Sequence, residues 1–389
     1  MGREGEVVQQ LLPEFQRSHP GIRVKVQQIP WSAAHEKLLT AYAGGNLPDI
    51  LQLGNTWLAE FVAIGALQAL DQRLAVSVRL PADDYYPATL AANRLDGQQY
   101  GLPWYVDTRV LFYRPDLLAA AGIGGAPRDW PGWLAALQRV QAAGLAEYGL
   151  LLPVNEWELP VILAWQEGAE LLRDRDRYGN FRSQPFRKAF AFYLSLYHDR
   201  LTPSVSNSQL ANLHQEFARG YFAAFITGPW NVGELRRRLP PAMQQRWNTA
   251  PLPIRADGQP GVSLAGGASL ALSRHSRHPD AAWALLEYLS QPAQQVHFYR
   301  LTGDLPPRLS SWQDPALAED PSLSAFRRQL PQLRATPKVP EWERIAAKIA
   351  YYSEQSVRGL ITPEQALEAL DQDADAILAK RRWLLSIQQ

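Results

Sequence analysis

The sequence predicts a two-domain α/β protein. Helix-like and strand-like stretches alternate from the start, the order that builds a sheet covered by helices. The 389 residues also exceed what one hydrophobic core ordinarily organises, about 250–300.

The elements follow in order. In "EGEVVQQLLPEFQRSHPG", Val7, Val8, Leu11, Leu12 and Phe15 fall on one helical face, and His19-Pro20-Gly21 ends the run. "IRVKVQQI" (22–29) alternates apolar and polar residues and predicts a strand with one wet face. A helix over 33–43 stops at Gly44-Gly45, "PDILQLG" predicts a short buried strand, and "AEFVAIG" a helix closing on Gly65. "GLPWYVDTRVLFYRPDLL" is the longest strand-like stretch, interrupted by Asp107-Thr108-Arg109. From there to about residue 200 the pattern reads as mostly helical, with "WPGWLAALQRVQAAG" and "FRKAFAFYLSLYHD" the clearest amphipathic pieces. "AAFIT" and "GGASLALS" read as strands, and the chain ends in helices, the last opened by Thr362-Pro363-Glu364, a cap with proline in the first turn.

Composition removes several function classes. There are 39 basic against 38 acidic residues, so nothing in the charge points to nucleic acid as a partner. Cysteine is absent, which excludes disulfides, thiolate metal sites and Cys nucleophiles. His275 and His278 fit a surface loop ahead of a helix better than a metal site, and no metal or cofactor is expected. No Walker lysine, HExxH or strand-following GxGxxG occurs. No run approaches the roughly 18 apolar residues of a membrane span, and "MGREGEVVQQ" lacks the pattern of a signal peptide. Thirteen tryptophans are more than core packing usually asks for; an indole suits a flat, half-apolar ligand.

"YFAAFITGPWNVGELRRR" sharpens that point. An apolar run stops at Gly228-Pro229, shows Trp230 at once and turns into a charged helix. A core strand has no need to end on tryptophan, whereas a binding floor does. Asp107 is a carboxylate inside a strand otherwise fit for burial, and an unpaired buried charge is expensive. It needs a partner: Arg109, Arg308 or the hydroxyls of a ligand.

In order, "FQRSHPGIRVKVQQ", "LPDILQLGNTW", "GLPWYVDTRVLFYRPDLL", "AAFITGPWNV", "GGASLALS" and "GDLPPR" resemble the landmarks of family 1 extracellular solute-binding proteins, the carbohydrate receptors of ABC importers. The trehalose/maltose-binding branch is the most similar in flavour. The resemblance covers nearly the whole chain. It implies a two-lobed periplasmic binding protein fold with interlobe hinge strands and a central ligand cleft. The N-terminal lobe would hold residues 1–109 and 266–308, and the C-terminal lobe 110–265 and 309–389. Crossings are expected near 107–111, 262–266 and Arg308.

The resemblance also implies a site. Trp230 and Tyr105 would stack on sugar rings, while Asp107, Glu4 in the first loop and Arg308 bind hydroxyls, with a surface salt bridge the plain alternative for Arg308. His35 aligns with a polar cleft residue, and Gly54, Asn55 and Trp57 line the first lobe's edge. Glu156 and Trp157 supply part of the second lobe's wall, and Gly266 and Gly267 lie at a crossing. Ala268 stands where many relatives carry a stacking tryptophan. The implied ligand is a neutral di- or oligosaccharide, the implied partner a pair of membrane permease subunits, the expected state a monomer and the implied compartment the periplasm. In the family a strand precedes the "GREGE" loop; here Met1 stands where that strand should have ended, so the first strand is expected to be missing. A glycoside hydrolase using Glu4 and Asp107 is the enzymatic alternative. A sugar phosphate or polyamine is the alternative ligand.

Overall fold

A computed structural model describes residues 1–387 apart from 211 and 256. The strands that position the site are β1 (Ile50–Gly54), β2 (Gly101–Asp107), β3 (Val110–Tyr113), β4 (Tyr148–Leu151), β5 (Phe222–Thr227), β6 (Asn248–Ala250) and β7 (Gly266–Leu272). They form two separate sheets. One has the order β1-β7-β2, all antiparallel, and the other β6-β3-β5-β4, with only β4 and β5 parallel.

The chain leaves the first sheet at the end of β2 and enters the second at β3, so the predicted interruption at Asp107-Thr108-Arg109 is a crossing between layers. It returns before β7, where Ser263 and Leu264 run parallel to Leu333 and Arg334. The Ser263 hydroxyl ties the two crossings together: it accepts from Thr108 Oγ1 (2.9 Å) and the Arg109 amide (3.1 Å), and donates to the Arg109 carbonyl (2.8 Å). Ser263 is fully buried, so these bonds satisfy polar atoms that water cannot reach. Past Gly303 the chain runs beside the end of β2, where Leu305 bridges antiparallel to Val106, and Arg308 then bridges to Tyr85.

Helices cover both sheets. The ones used below are α1 (Gly2–Val7), α2 (Leu12–Ser18), α3 (Trp31–Ala43), α4 (Leu58–Ala63), α5 (Glu158–Gln166), α6 (Trp230–Arg238), α7 (Pro279–Leu289), α8 (Pro292–Thr302), α9 (Trp342–Val357) and α10 (Pro363–Ile377). Val7, Leu11 and Phe15 enter the first lobe's core as their spacing predicts. They do so from two helices rather than one. Pro13 sits in the first turn of α2, where its missing N–H costs nothing but a continuous helix would need it. Thr362 caps α10 through a full capping box with Gln365.

One expectation is corrected. The alternating stretch 22–29 forms no ladder with any described strand. Ile22, Val24 and Val26 pack against the core as a strand face would, yet a groove of about 850 Å³ separates the stretch from β1, lined by residues such as Val24, Val26, Leu51 and Trp104. Alternation reports one wet face; it does not supply a hydrogen-bonding neighbour. Within the mostly helical region before residue 200, "YGLL" forms β4 beside β5, a strand the pattern did not separate from its helical surroundings. Short apolar runs carry no period that separates strand from helix.

Candidate functional site

The polar groups of the molecule converge where the sheets meet. Asp107 closes β2, and its carboxylate accepts two bonds from Arg109 Nη1, at 2.7 and 3.0 Å. Arg109 Nη2 donates to Glu158 at the start of α5 (2.9 Å). All three side chains are at most one-fifth exposed. One guanidinium therefore bridges a carboxylate at the end of β2 and another at the start of α5, a geometry its fixed fork suits. Burial pushes the Asp107 carboxyl above its ordinary range despite the opposing Arg109 charge. Asp107 and Glu158 together hold the Arg109 guanidinium firmly charged against burial.

Trp230 lies behind this cluster as the first residue of α6. Gly228 and Pro229 end β5 and turn the chain, and the indole folds back over Gly228, leaving no room there for a Cβ. The Arg109 guanidinium carbon lies 5.0 Å from the indole centroid, a cation–π contact. On the first lobe, Tyr105 donates to Glu4 Oε1 (3.2 Å), and the Trp31 indole N–H donates to the same oxygen (3.2 Å). Tyr105 sits two residues before Asp107, hence on the same face of β2. Burial, with Asp304, Glu4 and Asp107 nearby, raises its phenol well above the ordinary value.

The close approach of β7 to β2 depends on glycine. Gly266 pairs with Asp107 and Gly267 with Val106. Gly267 has φ +109, and a Cβ there would lie 2.3 Å from the Tyr105 carbonyl oxygen, so only glycine fits. Little open space remains around Arg109. A void of about 10 Å³ is lined by Arg109, Glu156, Glu158 and Tyr193. The larger groove beside β1 is mostly apolar and holds neither Asp107, Arg109 nor Trp230 in its lining, so the interlobe cluster is the candidate site.

Residues 2–296 match the family described as bacterial extracellular solute-binding protein. The chain belongs to that family. Among solved structures, the sugar-binding protein MalE from the phytopathogen Xanthomonas citri is 47% identical, covering 99% of this chain and 98% of that one, with a TM-score of 0.94. The GacH receptor of Streptomyces glaucescens, 23% identical over 97% of this chain and 96% of its own, shares the fold with a TM-score of 0.85. A putative binding protein of Brucella abortus is 26% identical over 97% of this chain and 91% of its own. The two-lobed solute-binding fold is thereby established, and the hydrolase reading falls, since the family binds rather than transforms.

Within this solute-binding protein the predicted site residues divide. Glu4, Tyr105, Asp107, Trp230, Gly266 and Gly267 gather at the interlobe cluster. Glu4 lies on α1, not in a loop. Trp57 and His35 form a neighbouring aromatic shelf: Trp57 is 5.4 Å from Trp31 and 5.0 Å from His35 between centroids. His35 Nε2 is 2.7 Å from Glu60. Gly54 ends β1 with a Cβ position 3.3 Å from the Trp57 ring. Asn55 has structural work: it donates to the Gly266 carbonyl (3.0 Å) and accepts from Ser269 (2.8 Å). Glu156 accepts from Asn207 (2.9 Å), and burial and Glu158 raise its carboxyl. Trp157 packs edge-on against Trp342 of α9.

Arg308 is brought elsewhere. It is buried, bonding Asp84 (2.7 Å) and the carbonyls of Arg79 and Ser290, and it makes no hydrogen bond to the cluster. The partner is thus a buried pair rather than a surface salt bridge. Burial pushes Asp84 up, but bonds from Ser310 and Arg308 outweigh it and leave the carboxyl below its ordinary value. Two contributors escaped sequence reasoning. Glu158 is the acid next but one to Glu156, and no local signal chooses between them. Asp304 lies inside "GDLPPR", where an acid in an apolar setting was the available signal.

Proposed function

We propose that this protein is the ligand-capturing subunit of an ABC sugar importer. It closes two lobes, 1–109 with 266–308 and 110–265 with 309–389, over a neutral di- or oligosaccharide of the trehalose/maltose type. The observation that carries the reading is the pairing of a half-buried indole, Trp230, with carboxylates and a guanidinium at the interlobe crossing. A pyranose offers apolar C–H faces to the indole and hydroxyls to Glu4, Asp107 and Arg109. The likeness to a sugar-binding MalE supports it. The surplus of acids over the single arginine argues against a sugar phosphate. The closed form would present both lobes to permease subunits, in the periplasm and as a monomer.

Calorimetric titration with trehalose, maltose, sucrose, glucose and glycerol 3-phosphate tests this. Saturable heat is expected with a neutral sugar. Trp230→Ala should weaken it about 30-fold or more, the order of 2 kcal/mol that a tryptophan anchor contributes. Heat from glycerol 3-phosphate alone would overturn the reading.

A further inference from the structure

Asp304 is 6% exposed and has no ion-pair partner among the described residues. The antiparallel bridge between Val106 and Leu305 sets the register. Asp304, one residue before the bridge, is thereby brought near Asp107, one residue after it, close enough to feel its charge. Val106 and Leu305 turn into the core, so their neighbours 107 and 304 face the opposite side, toward the cleft. Gly303 makes this possible. It holds φ +87, and a Cβ there would lie 3.8 Å from the Trp230 Cα, so the backbone carrying Asp304 passes against the start of α6.

The Thr302 hydroxyl donates to the Phe298 carbonyl (2.8 Å) and accepts from the Asp304 amide (3.0 Å). It also lies beside the Asp304 carboxyl and, with the Met1 amino group, draws its pKa down against the larger push of burial, Glu4 and Asp107. The charged and titratable groups facing Asp304 are Glu4 and the Met1 amino group from α1, and Tyr105 and Asp107 from β2. Arg109 is occupied by Asp107 and Glu158. Two carboxylates sharing a site do not both ionise readily. Burial, Glu4 and Asp107 all push the Asp304 carboxyl well above its ordinary range. Asp107 differs in having the Arg109 guanidinium as its partner.

We propose that Asp304 is a further ligand-contacting, specificity-determining residue: with Asp107 it clasps adjacent hydroxyls of one sugar ring. This rests on the sugar-binding reading above. A neutral acid both donates and accepts, so it matches a hydroxyl in either orientation. Ionising it places a second negative charge near Asp107 and weakens the grip.

The test is calorimetric titration of maltose and trehalose into the wild type, Asp304→Asn and Asp304→Ala, each scanned from pH 4.5 to 9. Circular dichroism melts confirm that each variant is folded. Wild-type affinity should fall at least tenfold as pH rises. Asp304→Asn, a permanently neutral donor and acceptor, should stay within threefold of the low-pH wild type and show no such fall. Asp304→Ala should lose tenfold or more at every pH. If the wild type and Asp304→Asn scans superimpose, or Asp304→Ala binds like the wild type, the proposal is overturned while the sugar reading stands. If the wild type takes neither sugar nor any other in the panel, the sugar reading falls and the proposal with it.

Discussion

Replacing Arg109 with methionine is the most demanding perturbation of the interlobe cluster. Methionine keeps much of the volume but removes a guanidinium that is 10% exposed and pairs Asp107 with Glu158. Two carboxyl groups, each under one-fifth exposed, are then left without their counter-charge. Removing one partner of a buried ion pair costs about 3–5 kcal/mol. The lost contact with the Trp230 ring, 5.0 Å away, adds up to about 1 kcal/mol. Against a typical total of about 5–15 kcal/mol, the variant should fold but unfold at visibly lower urea, by about 1–2 M. The deficit should depend on pH with a definite sign. Asp107 already has a raised folded pKa, and losing Arg109 raises it further. A group of that kind stabilises below its unfolded pKa and loses that contribution as pH climbs through the folded value. The gap between wild type and Arg109→Met should be widest near pH 7.5 and narrow toward pH 4.5. A deficit under about 1 kcal/mol, or one identical at both pH values, would refute the view that Arg109 neutralises both acids.

Four further outcomes follow from the crossings and the first lobe. Gly267→Ala would force a Cβ to 2.3 Å from the Tyr105 carbonyl at φ +109; a loss of more than about 3 kcal/mol is expected, read as a lowered melting temperature or failure to accumulate. Gly266→Ala, whose nearest atom is at 3.1 Å, should be clearly milder. Ser263→Ala removes the hydroxyl that joins two crossings, and chemical denaturation should show a loss of about 1–3 kcal/mol. In hydrogen exchange the amides of 22–29, which have no ladder, should exchange well before those of β7, which is paired on both edges.

Local readings of the sequence succeeded where the signal was itself local. The break at Asp107-Thr108-Arg109 was visible as polar residues interrupting a buried run, the resemblance placed a crossing there, and Arg109, two residues on, was one of the partners named for Asp107. Trp230 after Gly228-Pro229 marked the start of a helix at the edge of a sheet. Non-local pairing was not legible. Arg308 went to Asp84, 224 positions away, and nothing near either residue announces the other. Asp304 comes near Asp107 only because Leu305 happens to bridge Val106. The stretch 22–29 shows the converse: its apolar face was visible, but a ladder needs a second strand, and alternation is silent about that.

The register of β2 explains why the site and the crossings coincide. Asp107 is the last residue of its strand, opposite Gly266, the first of β7, and one step from the Val106–Leu305 bridge. The passage from β2 to β3, the start of β7 and the Leu305 bridge therefore all lie within a residue or two of one carboxylate. On one edge of β2 the neighbours are glycines, which let backbones approach to distances a side chain would forbid. On the other edge a second acid lies nearby. With the lobes divided as proposed above, a rotation of one on the other near Thr108 and Ala265 would change the distances among Asp107, Arg109, Glu158 and Asp304. A ligand that bonds these groups thus has a differential affinity for the lobe arrangements, the requirement for shifting a conformational equilibrium. A ligand that stacked on Trp230 alone would touch one lobe and have no such leverage.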